Sequence, residues 1–148
     1  MRTLGTASLL PSTLLVTLLS TVVLGLSVVS CGPPKNNAPV DQIPKLEKLD
    51  DVMDVQATTA DPQMKKRDQT TFTDDDYAQF AETAQKIDAT SKRVKNFSKG
   101  PEFDAFADQL NGTAVSLGKA AAAKDAAGAS AALKEMKATC AACHKKFK

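Results

Sequence analysis

The sequence predicts an all-α protein folded as an antiparallel four-helix bundle. In several long stretches, apolar residues recur at steps of three and four positions, which places them on one face of a helix. Short connections separate these stretches, and none shows the alternation of apolar and polar residues that is typical of a strand. We therefore expect consecutive helices to run antiparallel around a shared apolar core.

Residues 1–30 are predicted to be a lipoprotein signal peptide. Arg2 is the only charged residue in this segment, which is otherwise rich in Leu, Val, Ser and Thr, as export signals are. The segment ends in VVSCG, which resembles the lipobox of bacterial lipoproteins, so Cys31 is the predicted lipidation site. An uncleaved membrane anchor is the alternative. In both cases we expect the remaining chain to be held at the membrane on the periplasmic side.

Residues 31–44 are predicted to form an extended tether, because they contain four prolines and two asparagines and little to bury. The folded domain is predicted over residues 45–148.

The formal net charge of the whole chain is only +2, so we expect no nucleic-acid partner.

The first helix of the domain is predicted from four apolar residues at helical spacing: Leu46, Leu49, Val52 and Met53. It is expected to weaken at Thr58 and Thr59. Asp61 and Pro62 then predict the N-cap and first turn of a separate piece, a short helix or a loop around residues 64–67.

The second and third helices have clearer start signals. Thr73 is the predicted N-cap of the second helix, followed by three aspartates that the helix dipole favours. Its predicted buried face consists of Tyr77, Phe80, Ala84, Ile87, Ser91 and Val94. The third helix is predicted to begin at about Pro101, with the buried face Phe103, Phe106, Leu110, Ala114, Leu117 and Ala121. Gly112 and Gly118 within it cost about 1 kcal/mol each relative to Ala and are expected to allow a close approach of a helix or a ring.

The fourth helix is predicted to follow a turn near residues 124–128. Its apolar face consists of Leu133, Met136, Cys140, Cys143 and Phe147. Both cysteines therefore belong to the stripe that is expected to face the core.

Cys140-Ala141-Ala142-Cys143-His144 matches the CxxCH pattern of covalent haem attachment. Two cysteines three apart on a helix share a face, so both sulfurs can form thioether bonds to one haem. His144, one turn after Cys140, is the candidate proximal iron ligand. We expect the ring to lie inside the bundle.

Other CxxC chemistry fits this chain less well. Zinc usually needs four protein ligands, and with Cys31 assigned to lipid the chain has no second pair of ligands. A redox dithiol of the thioredoxin type requires a βαβ unit, whereas this chain is predicted to be helical. No constellation of acid, base or nucleophile appears outside the motif, so we do not expect an enzyme.

His144 is the only histidine in the chain, which predicts one haem c. The sixth iron position is then empty, taken by an exogenous ligand, or filled by a Met or Lys across the ring. Met136 lies eight residues before His144, about 12 Å along the same helix. The methionine candidates are therefore Met53 and Met64.

From about Leu46 to Lys148 the chain resembles the cytochrome c′ family, whose four-helix bundles have CxxCH near the end of the last helix. In this family two residues, an aromatic and a basic residue follow the motif, which residues 145–148 match, with Lys148 replacing the usual arginine. The resemblance implies a covalent haem c and a homodimer through the first two helices. Low-spin members transfer electrons and ligate iron with a methionine of the first helix. Met53 lies where that residue is expected and is the candidate distal ligand.

Three functional hypotheses follow. The first is a membrane-tethered monohaem carrier that transfers electrons to a redox partner protein, with Lys145, Lys146 and Lys148 either steering an acidic partner or forming a solvated helix end. The second is a high-spin, five-coordinate protein that binds nitric oxide or carbon monoxide, in which Met53 only packs above the ring. The third is a structural subunit that holds haem in a larger complex.

Overall fold

A computed structural model describes residues 36–148, most of which form four α-helices. These are α1 (Leu49–Met64), α2 (Asp74–Val94), α3 (Pro101–Ala123) and α4 (Ala126–Phe147), with short 3₁₀ helices at Ile43–Lys45 and Lys95–Phe97. The described residues contain no strand. The all-α four-helix fold that the sequence predicts is therefore confirmed.

Two apolar clusters show that the helices alternate in direction. The smaller cluster joins Val52 near the start of α1, Val94 at the end of α2, Phe103 near the start of α3 and Phe147 at the end of α4. The larger cluster joins the opposite ends and the middle of the bundle, including Met64, Tyr77, Phe80, Leu117 and Leu133. At each end of the bundle, the start of one helix therefore lies beside the end of the next, as in an antiparallel bundle.

Helix α1 is longer than the sequence predicts, because it continues through Thr58, Thr59 and Pro62 to Met64. The expected break at Asp61 and Pro62 is wrong. A proline in the last turn of a helix removes only one backbone hydrogen bond, the one its N–H would have donated four residues back. Burial of one face of α1 against the bundle offsets this loss.

Part of the segment predicted as an extended tether packs against the bundle. Ile43 is fully buried and lies in the first 3₁₀ helix. Lys86 Nζ donates to Asn37 Oδ1 at 2.9 Å, and just after this segment Arg93 Nη2 donates to Leu46 O at 2.6 Å. Residues 1–35, including the predicted signal peptide and Cys31, lie outside the described part of the chain.

The other helix boundaries follow local signals. Thr73 caps α2 through a reciprocal capping box with Asp76. The turn before α4 is shorter than predicted, because Lys124 adopts a left-handed conformation with φ of 51° and Asp125 already caps α4. A Cβ added at Gly118 would lie 3.3 Å from Ala84 Cβ, so this glycine allows close packing of α2 and α3. No helix within residues 36–148 has the length and apolar character needed to cross a bilayer.

Candidate functional site

The CxxCH motif lies in the last two turns of α4, where the two apolar clusters meet. Cys140 packs against the larger cluster and Cys143 against the smaller one. Both are half-buried free thiols, and His144 is exposed at the end of the helix. The helix therefore presents both sulfurs to the apolar interior.

A cavity of about 320 Å³ lies beside this motif, a size typical of small-molecule and cofactor sites. Helix α4 contributes Cys140, Cys143 and His144 to its wall. Helix α1 contributes Met53 and Gln56, among others. Side chains from α2 and α3, most of them apolar, also line the cavity. The structure therefore brings the predicted haem-attachment residues and the candidate distal methionine to a single cavity.

The cytochrome c′ family model matches residues 44–148. This match covers more than two thirds of the 148-residue chain. The chain belongs to the cytochrome c′ family. Comparison with curated proteins and with solved structures gave no significant match. As a cytochrome c′, the protein is a haem-binding cytochrome of a family associated with electron transfer and ligand binding.

The residues around the cavity fit the haem of a cytochrome c′. Two thiols on one helix face suit thioether attachment to one ring, with an imidazole one turn away. Two buried polar atoms of cavity-lining residues, Gln56 Nε2 and Thr139 Oγ1, have no hydrogen-bond partner within residues 36–148. Lys137 and Lys148 also line the cavity and are cations suited to carboxylates. Thiols, imidazole and cations together match the chemistry of haem c.

Both candidate methionines line the cavity, at different levels of the bundle. Half-buried Met53 packs against the smaller cluster, as Cys143 does, at the end of the bundle where α4 finishes with His144. Met64 is 5% exposed and packs within the larger cluster, which also contains Leu133 and Met136. Along the length of the bundle, Met53 therefore lies closer than Met64 to His144.

Aromatic side chains line part of the cavity in this cytochrome c′. Phe103 and Phe106 both belong to its wall. Phe147, directly after the two lysines that follow the motif, packs edge-on against Phe103 with ring centroids 5.2 Å apart. Phe80 instead packs against Phe72 at 4.9 Å and is not a cavity residue. Two of the three predicted core phenylalanines therefore border the cavity.

The sequence did not predict most of the polar residues that line the cavity. They include Gln56, Asp61, Ser91, Lys137 and Thr139. Gln56 follows Met53 by three residues, so helical spacing from the candidate ligand would have identified it. Ser91 lies on the predicted buried face of α2, but no local pattern indicates that this face borders a cavity.

The environment of the two thiols keeps them protonated in the protein without haem. Burial, with a further contribution from the nearby Asp61 carboxylate, raises the pKa of Cys140 to about 11. Burial also raises the pKa of Cys143. A thiolate is the reactive form of cysteine, so burial lowers the reactivity of both thiols.

Proposed function

We propose that this cytochrome c′ is a membrane-tethered electron carrier with one haem, in which His144 is the proximal and Met53 the distal iron ligand. The observation that carries the proposal is the single cavity lined by Cys140, Cys143, His144 and Met53. The sequence adds that only one histidine and one CxxCH motif are present, which supports one haem per chain and argues against bis-histidine ligation within a monomer.

The chain's own residues account for the properties of a carrier. The haem supplies an iron centre that alternates between the ferric and ferrous states. Cys140 and Cys143 would hold the haem through thioether bonds, and the Met53 sulfur would be a second protein ligand of its iron, which would favour the ferrous form and raise the reduction potential. Phe103 and Phe106 add apolar surface to the cavity wall. A closed site of this kind suppresses ligand chemistry and leaves electron transfer as the main activity.

Lysines near the cavity support an acidic redox partner. Lys145 follows the motif with its side chain exposed, whereas Lys137 and Lys148 line the cavity, where haem carboxylates would offset their charge. Lys146 is paired with Glu102, which reduces its contribution to the positive field. Such cations would speed the encounter with an acidic protein in a salt-dependent way.

The proposal includes two further features. The protein is tethered to the membrane through Cys31 on the periplasmic side, and it forms a homodimer through α1 and α2.

Replacing Met53 by Leu tests the proposed ligand. We expect the wild-type protein to give low-spin spectra in both oxidation states, and Met53→Leu to convert the ferrous protein to a high-spin form, because leucine cannot coordinate iron. The measurement is the visible spectrum of the purified holoprotein, oxidised and reduced.

Met64→Leu is the matched control, because Met64 lines the same cavity on the same helix. Its spectrum is expected to match the wild type. A high-spin ferrous wild type that Met53→Leu leaves unchanged would refute the methionine-ligated carrier and favour the five-coordinate, gas-binding alternative. Loss of the low-spin spectrum in Met64→Leu alone would assign the ligand to Met64.

A further inference from the structure

Residues 36–46, which we call the strap, pack along the outside of α2. Near its start, Asn37 Oδ1 accepts a hydrogen bond from Lys86 Nζ at 2.9 Å, and Lys86 is only 8% exposed. At its end, the Arg93 guanidinium donates twice to Leu46 O, from Nε at 2.9 Å and from Nη2 at 2.6 Å. Charge-assisted hydrogen bonds of this kind are stronger than neutral ones. Both ends of the strap are therefore fixed to α2.

The packed strap shortens the free chain between the predicted lipid anchor and the bundle. Asn37 follows Cys31 by only six residues, which span at most about 20 Å when fully extended. If the chain were extended as far as Leu46, it would span about 50 Å. An anchor at Cys31 would therefore hold the strap close to the bilayer surface.

This short reach limits which side of the bundle can face the membrane. Two layers of packed helices are about 20 Å thick, because helix axes lie about 8–10 Å apart and each helix is about 10 Å wide. If α2 were on the far side, the free chain would have to run around the bundle and past this thickness. A chain that spans at most about 20 Å is too short for that path. The reach therefore excludes orientations in which α2 is the helix farthest from the membrane.

Helix α4 lies diagonally opposite α2 in the bundle. Helix α2 packs mainly against α1 and α3, and α4 packs against the same two helices. Cys140, Cys143 and His144 all belong to α4. A membrane next to the strap would therefore leave the helix that carries the haem on the opposite, aqueous side.

We propose that the side of the bundle formed by the strap and the outside of α2 is a docking surface for lipid headgroups. In this orientation, α4 and its haem face the aqueous phase, from which the redox partner approaches. The inference rests on the proposed function, because it requires an acylated Cys31 and haem on α4. Asp41 and Lys45 balance the charge of the strap, so the short tether, rather than attraction to anionic lipid, sets the orientation.

Labelling of introduced cysteines tests this orientation in the full-length, acylated holoprotein on phosphatidylcholine vesicles. Asp41→Cys places a thiol on the exposed strap, and Lys134→Cys places one at an exposed position of α4. Acylation and haem attachment occupy the native cysteines. A polymer-linked maleimide is expected to modify Asp41→Cys several-fold more slowly than Lys134→Cys, because the bilayer restricts its approach. A flexible insert of about twenty Gly and Ser residues after Pro34 is expected to remove this difference, because it lengthens the reach of the tether.

Ile43→Asp tests whether the packed strap causes the orientation. Ile43 is fully buried but belongs to neither apolar cluster, so its replacement is expected to release the strap while the bundle stays folded. In the Asp41→Cys background, this variant should be labelled as fast as the variant with the insert. Val40→Asp is the matched control, because it adds the same charge at a residue that is 37% exposed, and it should be labelled slowly. Tryptic cleavage after Lys45 reports release of the strap, and circular dichroism and haem content verify folding.

Three results would overturn the inference. The first is that Asp41→Cys is labelled equally fast with and without the insert. The second is slower labelling of Lys134→Cys than of Asp41→Cys, which would place α4 against the membrane. The third is slow labelling in Ile43→Asp although trypsin cleaves after Lys45.

The proposed function can fail separately. Mass spectrometry that finds no acyl chain on the mature protein would refute the tether and this inference together. If Met53→Leu leaves the ligand-free spectrum unchanged, the methionine-ligated carrier is refuted, whereas the labelling result, which depends on the tether and not on the iron ligand, is unaffected.

Discussion

Cys140 and Cys143 occupy different surroundings although they share one helix face. Cys140 is packed against the larger apolar cluster, and burial raises the pKa of its thiol to about 11. Cys143 packs near the end of the bundle against the smaller cluster, and burial raises its pKa as well. Both sulfurs therefore face the interior as neutral thiols, in the orientation that attachment of a buried ring requires.

Alkylation of the haem-free protein tests this environment. At pH 8, the thiol of Cys140 is expected to react with iodoacetamide roughly ten- to hundredfold more slowly than in the unfolded chain, because the raised pKa lowers the thiolate fraction. Its rate should rise with pH until the thiol ionises near pH 11. Mass spectrometry with peptide fragmentation assigns the label to Cys140 or Cys143. In urea, where neither is buried, the two should react alike; equal Cys140 rates with and without urea would contradict the prediction.

At the scale of single elements, tertiary packing overrides weak local signals in α1. Thr58, Thr59 and Pro62 all disfavour a helix, yet α1 includes them. Val52, Val55, Ala60 and Met64 are buried along one side of this helix. Burial of an apolar side chain contributes about 1.5–3 kcal/mol, more than the propensity lost at each threonine. Helix α2 shows the opposite situation, because its start is specified locally by Thr73 and Asp76.

Thr73→Ala is expected to lower the free energy of unfolding by about 1 kcal/mol. The substitution removes the hydroxyl that accepts from Asp76 N at 3.2 Å and donates to Asp76 Oδ2 at 2.8 Å. Urea denaturation of the holoprotein, followed by circular dichroism, measures the change. Thr70→Ala is the control, because Thr70 is an exposed residue outside the helix. Equal stability of the wild type and Thr73→Ala would show that the capping box contributes nothing measurable.

The same capping box predicts a pH dependence. Hydrogen bonds from Lys66 and Thr73 lower the pKa of Asp76 from 3.8 to about 2. A carboxyl group with a lowered pKa in the folded state stabilises the fold above its unfolded pKa, and this contribution is lost as pH falls. The stability from Asp76 should therefore be complete above about pH 4 and decline towards pH 2. Asp76→Asn should remove this part of the acid dependence.

At the scale of the whole molecule, the cavity lies between the two apolar clusters of the core, and a haem bound in it would contact both. The larger cluster borders it through Met64 and Cys140, and the smaller one through Met53, Phe103 and Cys143. All four helices contribute to the wall, although α1 and α4 contact each other least among the neighbouring helices. A ring attached to α4 would therefore provide the packing between α1 and α4 that the side chains leave incomplete.

The proposed tether is tested on the full-length protein in cells. We expect the mature protein to begin at Cys31 with attached acyl chains and to sediment with membranes, because several acyl chains anchor a protein far more firmly than one. Cys31→Ser should abolish the acylation. Mass spectrometry of the mature N-terminus and membrane fractionation measure both properties. Cys143→Ser, which leaves the lipobox unchanged, is the control for fractionation. A mature wild-type protein that retains Met1 and lacks acyl chains would refute lipoprotein processing.

The sequence alone determined the features that depend on neighbouring residues. Periodic apolar positions predicted α2, α3 and α4, Thr73 and Pro101 predicted two of their starts, and CxxCH predicted the attachment site. These signals are readable because capping, helical spacing and thioether geometry act over a few residues. The single histidine likewise predicted one haem by counting alone, which stays a prediction.

The tertiary structure decided what depends on contacts between distant segments. It showed that α1 continues through Pro62, that Ile43 is buried against the bundle, and that Met53 lies nearer than Met64 to the level of His144. It also showed that Gln56 is a buried residue of the cavity wall. Apart from the helical spacing that links Gln56 to Met53, these features have no local signature, because each results from the burial of one helix face against partners far away in the sequence.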